Sequence, residues 1–283
     1  MSFTSIFAIG ASSLTAFAKG IEAISGNVAN TDTTGYKRVR TDFAALLPTS
    51  SSANGLVSAG AAGTGVAAAP RQLFSEQGAI ARGNQSTHVA VAGDGYFVVS
   101  RQPGASTPGD LLYTRAGDFK PDSEGNLVNA AGFYLQGTTS AGGGGQGLQS
   151  INVNRLPAGA DPATLGALVS VAITTDGAIN ATYANGSNFT ISRIPLALFV
   201  NEDGLELADR TAVRATALSG EAEIAAAGTG RAGSIEGSAL ESSTVDIGAE
   251  FSALIETQRA YSTGARILST ADELWRTLVS TAA

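Results

Sequence analysis

The sequence predicts an α+β fold, mainly β, with an antiparallel β domain flanked by N- and C-terminal helices. Those helices are expected to pair as a coiled-coil-like terminal domain. Two observations predict it. Apolar residues recur every seven positions at both ends of the chain, the period of a helix–helix seam. Between the ends the period shortens, and turn signals recur every ~8–12 residues, as in an antiparallel sheet or barrel. With 283 residues, the chain is long enough to bury one large or two modest cores.

Residues 3–29 carry the first seam. Phe7, Leu14, Ile21 and Val28 form one series, and Phe3, Gly10, Phe17 and Ile24 form the other. Gly10 weakens the stripe and also lets a neighbouring helix come close. A single amphipathic helix lying on a globular core would use the same pattern. Asn30 to Gly35 then stop the helix, because Asn and Gly tolerate the left-handed backbone that a helix end requires.

The middle reads as strands. Val89, Val91 and Tyr96 to Val99 lie around the turn Gly93-Asp94-Gly95, followed by Leu111 to Thr114. The turn Asp122 to Asn126 leads to Leu127-Val128 and Phe133 to Leu135. Val169 to Thr174, Ile179 to Tyr183, Phe189 to Ile191 and Leu196 to Val200 complete the set. Asp176-Gly177 and Asn185-Gly186 are the sharpest hairpin signals. Residues 49–69 and 138–148 are rich in small residues and read as linkers or exposed loops, and 219–233 as a connector.

The C-terminal seam is longer and wider. Leu240, Ile247, Leu254, Tyr261, Leu268 and Trp275 recur every seven residues, accompanied by Phe251, Gln258, Ala265, Asp272 and Val279. Ile255, Leu274 and Leu278 widen the stripe, and Ser242, Ser243, Thr244 and Asp246 are N-cap candidates. A helix of about 35 residues would be roughly 50 Å long. A two-helix hairpin covers only one side of such a helix, so identical subunits are the simplest cover for the rest. The candidate interface residues are therefore Phe7, Leu14, Phe17, Ile21, Ile24 and Val28, with Ile247, Phe251, Leu254, Tyr261, Leu268 and Trp275. The expected domains are 1–34 plus 240–283 (helical), 35–137 plus 168–239 (β-rich), and 138–167 as a reduced outer insertion or loop.

Composition narrows the chemistry. A net charge of −7, with Lys37-Arg38-Val39-Arg40 as the densest basic cluster, disfavours nucleic-acid binding. There is no Cys, hence no disulfide and no thiolate metal site. The single His, His88, has no nucleophile motif beside it and reads as a strand-edge polar residue. Asp122 to Asn126 lacks the later Glu of a calcium loop, and Gly93-Asp94-Gly95 precedes a strand and cradles no phosphate. No carboxylate pair is singled out by spacing, so a surface β-domain hydrolase has only numerous Asp and Glu in its favour. No catalytic, cofactor-binding or metal residue is assigned, and an enzyme is not expected. The N-terminus lacks the basic start of a cleaved secretory signal. Lys19 and Glu22 are poor partners for anionic lipid, and membrane insertion is not expected.

Residues 26–37, GNVANTDTTGYK, resemble the N-terminal signature of bacterial flagellar rod and hook proteins. The matching positions are Asn27, Asn30, Thr33, Gly35, Tyr36 and Lys37. Residues 89–100, 113–137 and 233–261 are similar to further blocks of the same family, in the family's order. Within it, YTRAGDF, FYLQG and the stretch 71–97 look closer to hook than to distal rod proteins. Hook proteins usually carry a sizeable outer domain after the LQG segment. Here only about 30 residues intervene (138–168), a shortness more typical of rod proteins. The resemblance implies a tubular homopolymer lined by the terminal helices: a flagellar hook subunit with a reduced outer domain, or alternatively a rod subunit. It also implies as partners other copies of the chain, adjacent rod and hook–filament junction proteins, the hook cap and the type III export apparatus, with location in the flagellum.

Overall fold

A computed structural model describes residues 3–46, 65–104, 108–139, 147–156 and 165–282. The chain divides into two compact units. The first comprises Met1–Thr31, Arg38–Leu73 and Val245–Ala283; the second comprises Asp32–Lys37 and Phe74–Thr244.

The first unit contains helix α1 (Phe3–Ala29), strands β1 (Val39–Leu46) and β2 (Gly65–Gln72), and helix α2 (Ile247–Ala282). The two helices pair through small residues. A Cβ on Gly10 would lie 2.6 Å from Leu268 Cδ2, one on Gly264 3.3 Å from Leu14 Cδ2, and one on Gly20 3.4 Å from Thr257 Cγ2. As the numbers rise along α1 they fall along α2, so the pair is antiparallel. Each leucine fills the gap left by a glycine on the other helix, which lets the helices approach closely. The buried positions of α2 are Glu250, Gly264 and Ala271, seven or fourteen apart. The small residues therefore face α1, and much of the large apolar stripe faces away from it.

Three expectations about this region need correction. Leu240 does not begin the C-terminal helix, because Ala239–Glu241 is a strand paired with Ile80–Arg82. The helix starts at Ile247, where Asp246 is the N-cap: its Oδ1 accepts from the Ala249 N–H at 3.0 Å. The segment from Arg38 to Leu73, expected in the β-rich domain, groups with the helices. There β1 and β2 form an antiparallel hairpin, the Phe43 ring packs 5.8 Å from that of Phe17, and the Val66 N–H donates to Ser12 Oγ at 3.2 Å. Finally, the stretch 49–69 is not loop throughout, since Gly65 onward is strand; the remainder of it lies outside the described residues.

The second unit is built around Tyr96–Ser100, a strand buried along its whole length. It pairs with Leu111–Thr114 on one edge, and with Tyr134–Thr139 and Pro195–Leu198 on the other. Alternation divides its side chains between two cores. Phe97 and Val99 join Phe119, Leu127, Leu135 and Ile151, while Tyr96 and Val98 join Phe74, Tyr113 and Phe199. Phe97 meets Phe119 edge-on at 5.8 Å, and Tyr113 meets Phe199 edge-on at 4.9 Å.

Leu168–Ile173, Ala178–Tyr183 and Asn188–Arg193 form the meander expected from Asp176-Gly177 and Asn185-Gly186. Gly177 and Gly186 have φ of 78° and 81°, which favours glycine at both turns. Gly93-Asp94-Gly95, by contrast, does not close a hairpin. The strand before it, Val89–Ala92, pairs with Ser234–Gly237, whereas the strand after it enters the large sheet. Gly95 is needed there because its φ is 127° and an added Cβ would lie 3.0 Å from Leu196 Cβ.

Two segments read as loops contain structure. In 219–233, Glu223–Ala226 pairs with Pro195–Leu198. In 138–167, the strand from Tyr134 runs to Thr139, Gln149–Ser150 pairs with it, and Ile151 and Val153 enter the core. The glycine-rich stretch before it hid that short alternation. Residues 140–146 and 157–164 lie outside the described residues.

Candidate functional site

The signature residues divide between the two units. In the first, α1 ends after Ala29. The Asn30 N–H turns back to the Asn27 carbonyl at 3.0 Å, and Asn30 Nδ2 donates to the Gly26 carbonyl at 2.8 Å, satisfying a carbonyl the helix leaves open. Asn27 is fully buried and treats Val39 as a strand neighbour would. Its Nδ2 donates to the Val39 carbonyl at 2.8 Å, and its Oδ1 accepts from the Val39 N–H at 2.9 Å. One amide side chain thus fixes where the chain returns along the helix. Arg38 Nε donates to Glu250 Oε1 at 2.5 Å, holding the otherwise costly buried carboxylate in the first turn of α2. Asn27→Ala is expected to cost about 2–3 kcal/mol, since it removes two hydrogen bonds from a buried site. Denaturant unfolding followed by Trp275 fluorescence in α2 measures it.

In the second unit, residues 32–37 meet the strand Ala239–Glu241. Thr33 accepts from the Tyr36 N–H at 3.2 Å, forming a turn. Gly35 has φ of 67°, and an added Cβ would lie 2.6 Å from the Ala116 backbone nitrogen, so only glycine fits. The Gly35 N–H donates to the Glu241 carbonyl at 2.8 Å, and the Thr244 N–H donates to the Tyr36 carbonyl at 3.1 Å. Lys37 is 3 % exposed and Glu241 fully buried. Lys37 Nζ donates to Glu241 Oε1 at 2.6 Å and also to the Glu76 carbonyl.

Glu241 Oε1 further accepts from the Gly78 N–H at 2.9 Å. Its Oε2 faces Arg115 Nη1 at 3.5 Å, a charge contact without hydrogen-bond geometry. The Arg115 guanidinium lies 4.9 Å from the centre of the Tyr96 ring. Burial pulls the Lys37 pKa below its ordinary value, against the opposing attraction of Glu241. Desolvation, together with the nearby Glu202 carboxylate, pushes the Tyr96 hydroxyl well above the usual tyrosine range. Buried together and joined through one carboxylate, these groups hold chain segments to one another.

Sequence reasoning named Lys37 but missed its partners. Glu241, 204 residues away, bonds to it. A lone acid in the apolar run Ala239-Leu240-Glu241 was the available signal for a buried partner.

The interface candidates also separate. Ile24 is buried within the chain, while Phe7, Leu14, Phe17, Ile21, Val28, Leu254 and Leu268 are half-buried. Ile247, Phe251, Tyr261 and Trp275 on α2 are exposed by 47 %, 50 %, 40 % and 46 %. Ile255, Ile267, Leu274, Leu278 and Val279 are exposed beside them. No helix among the described residues is long and apolar enough to cross a membrane.

His88 is buried, and among the described residues neither ring nitrogen has a hydrogen-bond partner. Gly83 makes room for the ring, since a Cβ there would lie 2.7 Å from Nδ1. Burial lowers the His88 pKa; Asp118 opposes the shift and Lys120 reinforces it. The unfolded chain therefore binds this proton more readily. The contribution of His88 to stability is complete above about pH 6.5 and is lost as pH falls from there through the lowered folded value. His88→Leu is expected to flatten that part of the stability–pH curve, as measured by denaturation between about pH 4 and 8.

Family comparisons match the same blocks. Residues 7–37 match the model of the flagella basal body rod protein, residues 90–181 the flagellar hook protein FlgE/F/G D1 domain, and residues 236–281 the flagellar basal body rod FlgEFG protein C-terminal model. The flagellar basal-body rod protein FlgG of Agrobacterium fabrum is 31 % identical over 278 residues, covering 94 % of this chain and 95 % of its own length. The chain belongs to the flagellar hook/rod axial protein family. It is thereby a structural component of the flagellum. FlgG of Caulobacter vibrioides is 32 % identical over 93 % of this chain and 94 % of its own length. The flagellar hook protein FlgE of Brucella abortus is 39 % identical over 170 residues, 59 % of this chain and 40 % of its own length.

Proposed function

We propose that this axial protein polymerises with copies of itself through the exposed stripe of α2, and that it does so as a rod subunit. The observation that carries self-assembly is the row Ile247, Phe251, Tyr261 and Trp275, large apolar residues 40–50 % exposed in a chain that pairs its helices through Gly10, Gly20 and Gly264. Water exposure of so much apolar surface is costly, and contact with other protein removes the cost. Identical subunits bring the same stripe. The half-buried Phe7, Leu14, Phe17, Ile21 and Val28, with Leu254 and Leu268, would border it, and Ile24 would support it from within. The signature residues Asn27, Asn30, Thr33, Gly35, Tyr36 and Lys37 hold the chain segments that lead to and from the helices.

The rod reading is supported by length: the rod relatives align along nearly their whole chains, whereas the Brucella hook relative aligns over 40 % of its own. A second reading, hook subunit, is favoured by the higher identity of that shorter match and by the hook-like blocks at 71–97, 113–119 and 133–137. On the rod reading the neighbours would be other rod proteins and the export apparatus; on the hook reading, the hook cap and the hook–filament junction proteins. Deletion of the gene followed by electron microscopy of purified basal bodies distinguishes them. A truncated rod with nothing beyond it supports the rod reading. A complete rod lacking only the hook and filament overturns it. We also assign the chain no catalytic role, a reading supported by its membership of a family of structural flagellar components.

A further inference from the structure

We propose that Glu241 is a latch that makes docking of two distant chain segments, 32–37 and 239–244, a single event. Two kinds of contact in the second unit depend on both segments at once. Backbone bonds run in both directions, from the Gly35 N–H to the Glu241 carbonyl and from the Thr244 N–H to the Tyr36 carbonyl. The Lys37 ammonium lies on Glu241 Oε1 at 2.6 Å, with both side chains nearly or fully buried. The same carboxylate holds the Gly78 N–H and faces Arg115.

If residues 239–244 were displaced, the Lys37 and Arg115 cations would lose the carboxylate while still buried. If residues 32–37 were displaced, Glu241, fully buried in the folded chain, would lose the ammonium. A buried charge stripped of its partner is strongly unfavourable, so each half-docked state is sparsely populated. The chain runs from α1 directly into the first segment and from the second segment directly into α2. The latch therefore makes order at the exit of one helix conditional on order at the start of the other. On the self-assembly reading above, a subunit would present both helices from ordered segments or neither. The latch itself does not depend on that reading.

Native-state hydrogen exchange of the full chain tests it. The Gly35 and Thr244 amides are expected to open with equal equilibrium constants and equal denaturant dependence, in an event distinct from opening of Tyr96–Ser100. Opening constants that differ by more than about tenfold, a 1.4 kcal/mol gap, would overturn the latch. Glu241→Gln supplies the second arm, with Glu236→Gln, at an exposed position, as control. Exchange at residues 33–37 and 242–244 is expected to accelerate together by on the order of a hundredfold or more, with the control unchanged. Acceleration in one segment alone, or in neither, contradicts the proposal. If Glu241→Gln unfolds the whole unit, exchange of the unsubstituted chain decides alone. Because polymer formation is not the readout, failure of the latch and failure of the self-assembly reading are separable.

Discussion

Replacing Glu241 with glutamine is expected to destabilise the second unit by about 3–5 kcal/mol, the cost of removing one partner from a buried ion pair. Glutamine keeps the shape and can still accept from the Gly78 N–H, so the loss is of charge and not of packing. Lys37→Met should cost a similar amount, because it leaves the Glu241 carboxylate buried with only the Gly78 N–H and the 3.5 Å contact to Arg115. The double variant should be much less damaged than the two single effects summed. Burial already lowers the Lys37 pKa despite the carboxylate beside it, so desolvation outweighs the attraction. A double-mutant cycle by denaturant unfolding is therefore expected to return a coupling energy of about 2 kcal/mol or more. Additive effects would mean that the two groups are neighbours without being partners.

Replacing Phe251 or Tyr261 with aspartate is expected to abolish polymer formation while leaving the single chain folded. Both side chains are at least 40 % exposed in the chain alone, so its stability should change by only about 0.5 kcal/mol. In a polymer the same positions would be covered, and each large apolar side chain would contribute about 1.5–3 kcal/mol. An aspartate there forfeits that contribution and adds a buried charge. A loss of about 3 kcal/mol per contact raises the concentration needed for assembly by over a hundredfold. Sedimentation of the variants across a concentration series, with circular dichroism for the fold, measures both halves of the expectation. Leu254→Asp is a less clean probe, since Leu254 is half-buried within its own chain and the substitution strikes fold and assembly together.

The sequence made the two helices, the meander at 168–193 and the fully apolar strand at 96–99 legible, because each has a strong period or a turn residue with a steric requirement. The seven-residue spacing included Gly10, Leu14 and Leu268, which meet across the helix pair, but not Gly20 or Gly264, whose value lies in lacking a side chain and leaves no apolar pattern. The buried pair Ile151 and Val153 was hidden behind a glycine-rich stretch, where composition suggested only loop. The start of α2 was read too early because Leu240 keeps the seven-residue spacing by coincidence while lying in a strand. Of the site, the signature from Asn27 to Lys37 was visible through resemblance. Its physical content was not: Val39 as the partner of Asn27, and Glu241 as the partner of Lys37, are set by tertiary packing and leave no local pattern.

In the polymer, neighbouring copies of the chain are expected to cover the apolar stripe of α2. Trp275 lies on that stripe, is 46 % exposed in the single chain, and is the only tryptophan in the sequence, so it reports on the stripe without interference. Its fluorescence can be followed as purified subunits assemble, with acrylamide as quencher. A shift of the emission to shorter wavelength and a loss of quenching, in step with polymer formation, are the predicted results. A polymer in which Trp275 emits and quenches as it does in the monomer would contradict the account.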